Sequence, residues 1–152
     1  MATGIIALLN PLAQIQKAQD AKRKSDLSQI QKAVETYYQD VGKYPASSVG
    51  ALPYRIIRLG NTIADWGQEF QPYMSILPKD PSSSKKYVYY SPSISNGQTY
   101  YIYASLDRGA NDPQACKNQW CQSLAQDINL ITACDPPDGP CDYGVSSPNV
   151  SP

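Results

Sequence analysis

Four cysteines carry the only covalent chemistry that residue type and spacing suggest in this chain. Cys116, Cys121, Cys134 and Cys141 all fall in the last third, among Pro, Asp, Asn and Gly that offer little apolar surface. Segments of that composition depend on covalent cross-links to hold a shape. Histidine is absent, and the four and six residues inside the two pairs do not match the common zinc ladders. Disulfides are therefore expected, and with them export from the reducing cytosol. Three pairings are possible; the short closures favour Cys116 with Cys121 and Cys134 with Cys141. An enzyme is not expected, because there is no His base, no Gly-rich phosphate loop and no Ser or Cys in a nucleophile setting. Asp135 and Asp138, around Pro136, Pro137 and Gly139, read as a solvated turn and not as a catalytic pair.

The elements that must position these residues begin with a helix. From Leu27 the apolar residues Leu27, Ile30, Val34, Tyr37 and Val41 recur at helical spacing and mark one face. A second apolar set, Ile5, Leu8, Leu9, Leu12 and Ile15, precedes them, separated by the polar run QDAKRKSD from Gln19 to Asp26. A single helix from Ala2 to Gly42 is predicted, with a kink or break at Asn10 and Pro11 and an end at Gly42, a left-handed cap before Pro45. At ~1.5 Å per residue such a helix is about 60 Å long, against a radius of gyration near ~15 Å for a compact domain of this size. Its first half is thus expected to project, and its exposed apolar face to need lipid or copies of itself. The polar run reads as a solvated face, with contact between neighbouring subunits as the other reading.

One domain follows the helix, giving an organisation of residues 1–42 as stalk and 43–152 as head. The segment YRIIRLGNTIADW is expected to contain a short helix. Two Tyr-rich runs, KKYVYYSP and QTYYIYASL, flank the Asn96 and Gly97 turn signal and predict an antiparallel hairpin with some tyrosines exposed. A short helix or strand is expected around Ser123 to Ile131, and no packing signal is visible at the C-terminus. The fold class is therefore α+β: a long N-terminal helix on a small antiparallel sheet, with a loop-rich, disulfide-bonded end. Thirteen basic against thirteen acidic residues leave no net field for nucleic acid. The leading apolar run is too short and too broken to span a bilayer, so the chain is read as starting part-way into a longer hydrophobic segment.

The text QKAQDAKRKSDLSQIQKAVETYYQDVGKYP resembles the N-terminal region of type IV pilins and of the major pseudopilins of type II secretion systems. LPKDP, Leu77 to Pro81, is similar to the turn that precedes the sheet in pseudopilin heads, and YASLDRGAND with the later Asp127 and Ile128 resembles their calcium loop. The paired cysteines resemble the disulfide-bounded region of type IV pilins. The resemblance implies a structural subunit of an extracellular filament, membrane-anchored before assembly, that polymerises through Ile5, Leu8, Leu9, Leu12 and Ile15. It implies calcium at Asp107, Asn111, Asp112, Asp127 and the Leu106 carbonyl, hard oxygens of the kind that ion prefers. The first reading is a subunit of a type IV pilus-like filament; the alternatives are a secretion pseudopilus subunit with a calcium loop, and a secreted glycan- or surface-binding module using the tyrosines with Trp66 and Trp120.

Overall fold

The computed structural model describes residues 10–117, 121, 128–137 and 139–152. Helix α1 runs from Pro11 to Val41, about 46 Å at the α-helical rise. Asn10 has extended backbone and caps α1, its side chain accepting from the Ala13 N–H, while Pro11 takes the first helical position, where no N–H is needed. The helix thus begins at the Asn10–Pro11 break; residues 1–9 lie outside the described residues. At the other end Gly42, at φ 77°, donates its N–H to the Tyr38 carbonyl.

Two antiparallel sheets follow. Strands β1 (Ile56–Arg58) and β2 (Thr62–Ala64) pair as a hairpin. A short helix was expected here. The hairpin prevails because Gly60 and Asn61 both take positive φ, 87° and 63°, turning the chain between two short β-branched runs. Strands β3 (Val88–Tyr90), β4 (Tyr101–Ala104) and β5 (Tyr143–Ser146) form the second sheet, with β4 in the centre. Val88 faces Tyr103, and Tyr101 faces Ser146. The Asn96–Gly97 turn lies between β3 and β4, both residues at positive φ. Strand β5 went unseen in the sequence because its half-buried residues, Tyr-Gly-Val-Ser, carry no continuous apolar pattern.

The three-stranded sheet has a core on each face. Tyr87, Tyr89, Tyr100, Ile102 and Ala104 pack with the stripe Leu27, Ile30, Val34 and Tyr37 of α1, and with Trp66, Phe70 and Leu77. Val88 and Tyr103, pointing the other way, pack with Cys121, Leu130, Cys134 and Cys141. Covering both faces explains why Tyr87, Tyr89, Tyr100 and Tyr103 are all buried, while Tyr90 and Tyr101 remain only half-buried. Their hydroxyls find acceptors: Tyr87 donates to Asp26, Tyr89 to the Pro45 carbonyl and Tyr100 to Glu35.

The second core is held by the pairs Cys116–Cys121 and Cys134–Cys141. The two are tied together by backbone, Cys121 N–H to the Cys141 carbonyl, and to the sheet through the Lys86 N–H and the Cys134 carbonyl. Helix α2 (Ile128–Ile131) supplies the Leu130 side chain and the Ile131 carbonyl that accepts from Cys141 N–H.

Candidate functional site

Helix α1 does two different things along its length. Its buried residues begin at Asp20, whereas Leu12 is 61% and Ile15 54% exposed. Three residues apart, these two apolar side chains share a side of a helix end that nothing in the head covers. Of the predicted assembly residues they are the two described; Ile5, Leu8 and Leu9 lie outside the described residues.

The polar run is solvated on one side only: Ala21, Lys22 and Ser25 are exposed, while its other side turns into the head. Asp20, Arg23 and Asp26 are buried, three residues apart, and extend the stripe of Leu27, Ile30 and Val34 toward the N-terminus. Arg23, fully buried, forms a two-point pair with Asp80 (Nε to Oδ2 2.9 Å, Nη2 to Oδ1 3.0 Å). Its Nη1 reaches Asp20 Oδ1 and Asp107 Oδ2, each at 2.8 Å. The second oxygen of Asp107 takes the Lys85 ammonium at 2.8 Å. Asp26 accepts from Lys22 and from Tyr87. A buried guanidinium survives only when its donors are met in this way, and burying the set without Arg23 would leave carboxylates facing one another.

The same carboxylates organise the loop after β4, whose three successive amides each donate to an acid. Leu106 N–H goes to Asp142 Oδ1 (2.8 Å), Asp107 N–H to Asp20 Oδ1 (2.8 Å) and Arg108 N–H to Asp20 Oδ2 (3.0 Å). Gly109 follows with its Cα against the Asp142 carboxylate, where a Cβ would collide. A 3₁₀ turn over Gly109–Asn111 leads to Asp112, which takes Lys24 Nζ at 2.6 Å and the Gln114 N–H at 2.8 Å.

Electrostatics follow these contacts. Burial opposes the charge on Arg23, but Asp80 and Asp107 outweigh it and raise its pKa. Burial pulls Asp107 up, yet hydrogen bonds from Lys85 and Arg23 hold it below the usual carboxylate value, and Lys24 does the same for Asp112. Asp142 goes the other way: burial pushes it up to about 6, against the Leu106 N–H and nearby Lys85, and with the Asp20 charge adding to the rise. Its folded value exceeds the unfolded one, ~3.9, so its contribution is fully present below about pH 4 and lost as pH rises through about 6. Stability is expected to rise by about 1 kcal/mol between roughly pH 7 and pH 5. Asp107 and Asp112 contribute the opposite slope, lost only as pH falls below ~3.9. Denaturant titrations across this range check the first slope; it should vanish in Asp142→Asn, and a variant that keeps it contradicts the assignment to Asp142.

The residues that the resemblance gives to calcium are dispersed among these contacts. Asp107 and Asp112 sit on opposite sides of the 3₁₀ turn with protein cations as partners, Asn111 is exposed, and Asp127 lies outside the described residues. Among the described residues no three acidic or thiol side chains are placed to hold a metal ion. As arranged, Asp107 and Asp112 are each paired with an ammonium or guanidinium group of the chain. Sequence reasoning passed over Asp20, Arg23, Asp26, Asp80, Lys85 and Asp142. The three-residue spacing of the first three, in phase with Leu27 and Ile30, was the available signal. Of the aromatics weighed for a binding face, Trp66 is buried, edge-on to Tyr87 and beneath Arg55, and Trp120 lies outside the described residues.

Residues 10–120 match a family model described as type II secretion system (T2SS), protein G. The chain belongs to that family. The matched span holds α1, both hairpins and nearly all of the ion network, and it ends before Cys121 and the second disulfide. Protein G is the major pseudopilin family, a family of structural subunits and not of enzymes. No curated protein and no solved structure matches the chain significantly. Among the described residues no helix of this protein G family member is long and apolar enough to cross a membrane.

Proposed function

We propose that this chain is the building block of a helical filament of the secretion-system type, added subunit by subunit through the exposed end of α1. The observation that carries the reading is the uncovered pair Leu12 and Ile15 on a helix whose buried stripe starts only at Asp20. Family membership favours a secretion pseudopilus over an adhesive pilus. Before assembly the subunit is held in the membrane by an apolar segment toward its N-terminus, and it enters the filament by exchanging lipid for its neighbours. The step is burial without bond making. At ~25 cal/mol per Å², a cluster of Ile5, Leu8, Leu9, Leu12 and Ile15 contributes several kcal/mol per subunit.

The test is substitution in the full-length gene product. Leu12→Asp or Ile15→Asp is expected to abolish filaments in electron micrographs of sheared surface material, while the thermal midpoint of the purified 152-residue chain stays within about 2 °C of the parent, as for any exposed site. Normal filaments from both variants defeat the proposal. A pilus role predicts that filaments persist at the surface of cells lacking the secretion outer-membrane pore; a pseudopilus role predicts loss of secretion in the same Asp variants.

A further inference from the structure

We infer that Arg23, together with Lys85 and Lys24, is a built-in cation for the loop after β4, so that this head folds and keeps that loop in place without a divalent ion. The argument starts from Asp107. Each of its oxygens already has a cation at 2.8 Å, Arg23 on one and Lys85 on the other. Those two positive charges equal the charge a calcium ion would bring. An ion bound at the usual 2.3–2.6 Å from either oxygen would stand beside a guanidinium or ammonium held to the same carboxylate, with repulsion in place of the attraction that binds it. Asp112, beyond the 3₁₀ turn, is likewise taken by Lys24.

The guanidinium also does what a metal does for a loop, gathering oxygens from separate parts of the chain. Arg23 draws together Asp20 of α1, Asp80 ahead of β3 and Asp107 after β4. Asp20, fixed by that contact, then holds the amides of Asp107 and Arg108. Because the cation is covalently part of α1, the loop is closed at any ion concentration. A planar fork with several directed donors suits this task, since it satisfies three carboxylates at once where a lysine would serve as a single point. The inference concerns the head alone and stands whether or not the filament reading does.

The experiment uses the 152-residue chain. Thermal unfolding is followed in chelator and with calcium at about 1 mM, in the range over which extracellular calcium modules bind. The midpoints are expected to agree within about 1 °C; a site filled at about ten times its Kd would raise the midpoint by about 3–6 °C, and that result overturns the inference. Amide exchange supplies the positive test. In Arg23→Gln the amides of Asp107 and Arg108 are expected to lose protection by about tenfold or more, in chelator and in calcium alike. Unchanged protection at both amides overturns the clamp. If Arg23→Gln does not fold, Lys85→Gln, which removes one of the two cations on Asp107, is read by the same criterion, and the comparison of the parent chain with and without calcium is independent of either variant.

Discussion

Replacing Arg23 by alanine is expected to lower the stability of the head by about 3–5 kcal/mol, the cost of leaving buried carboxylates without their cation. The magnitude follows from the environment. Arg23 is fully buried, and Asp20 and Asp80 on either side of it are almost wholly buried as well. Removing the guanidinium leaves Asp20, Asp80 and Asp107 converging on an empty space, with Lys85 the remaining cation on Asp107 among the described residues. Water or protons must then replace it, and the loop amides held by Asp20 lose their fixed acceptor. Lys22→Ala is the control from the same turn of the helix. Lys22 also makes a 2.8 Å pair, with Asp26, but half of its side chain is in water, so the expected loss is below about 1 kcal/mol. Equilibrium unfolding in denaturant separates the two. Equal small losses in both variants would mean that the network orders the loop without stabilising the head.

Opening the Cys134–Cys141 bond by replacing both cysteines with alanine is expected to cost about 3–5 kcal/mol. Two terms combine. The bond closes a short loop, sequence separation 7, for which the lost constraint on the unfolded chain is worth about 2–3 kcal/mol. Both sulfurs are also fully buried against Val88, Tyr103 and Leu130, so their removal leaves a void in the second core. The Cys116–Cys121 bond is expected to matter less, because Cys116 is only partly buried and its loop is shorter still, separation 5. Melting of the two double variants in parallel checks the order. A larger loss from the Cys116 pair would show that the second core does not depend on the bond inside it.

Several parts of this molecule are legible from the chain alone because they rest on interactions between near neighbours. The stripe from Leu27 to Tyr37, the glycine cap at Gly42, the Asn96–Gly97 turn and the short cysteine closures each depend on residues a few positions apart. For such features spacing and residue type are nearly the whole of the physics. The exposed apolar pair Leu12 and Ile15 belongs with them, since a helix too long for its head must leave one end uncovered.

Tertiary structure decided what lay between those parts. In QDAKRKSD the charges look solvated, since burying a charge is costly unless it is paired, and the partners are far off in sequence. Asp80 stands 57 residues from Arg23, and the amides that Asp20 receives stand 87 and 88 residues from it. The tyrosine faces follow the same rule: alternation in β3 and β4 shows that two faces exist, but it is the disulfide-bonded segment, with Cys121, Leu130, Cys134 and Cys141, that covers the second. Local sequence therefore determined where α1 starts to be apolar, where it stops and which runs pair as the Tyr-rich hairpin. Which charges are buried and what holds the loop after β4 depended on groups brought together from distant segments, because an ion pair's worth is set by its dielectric surroundings, which no single segment carries.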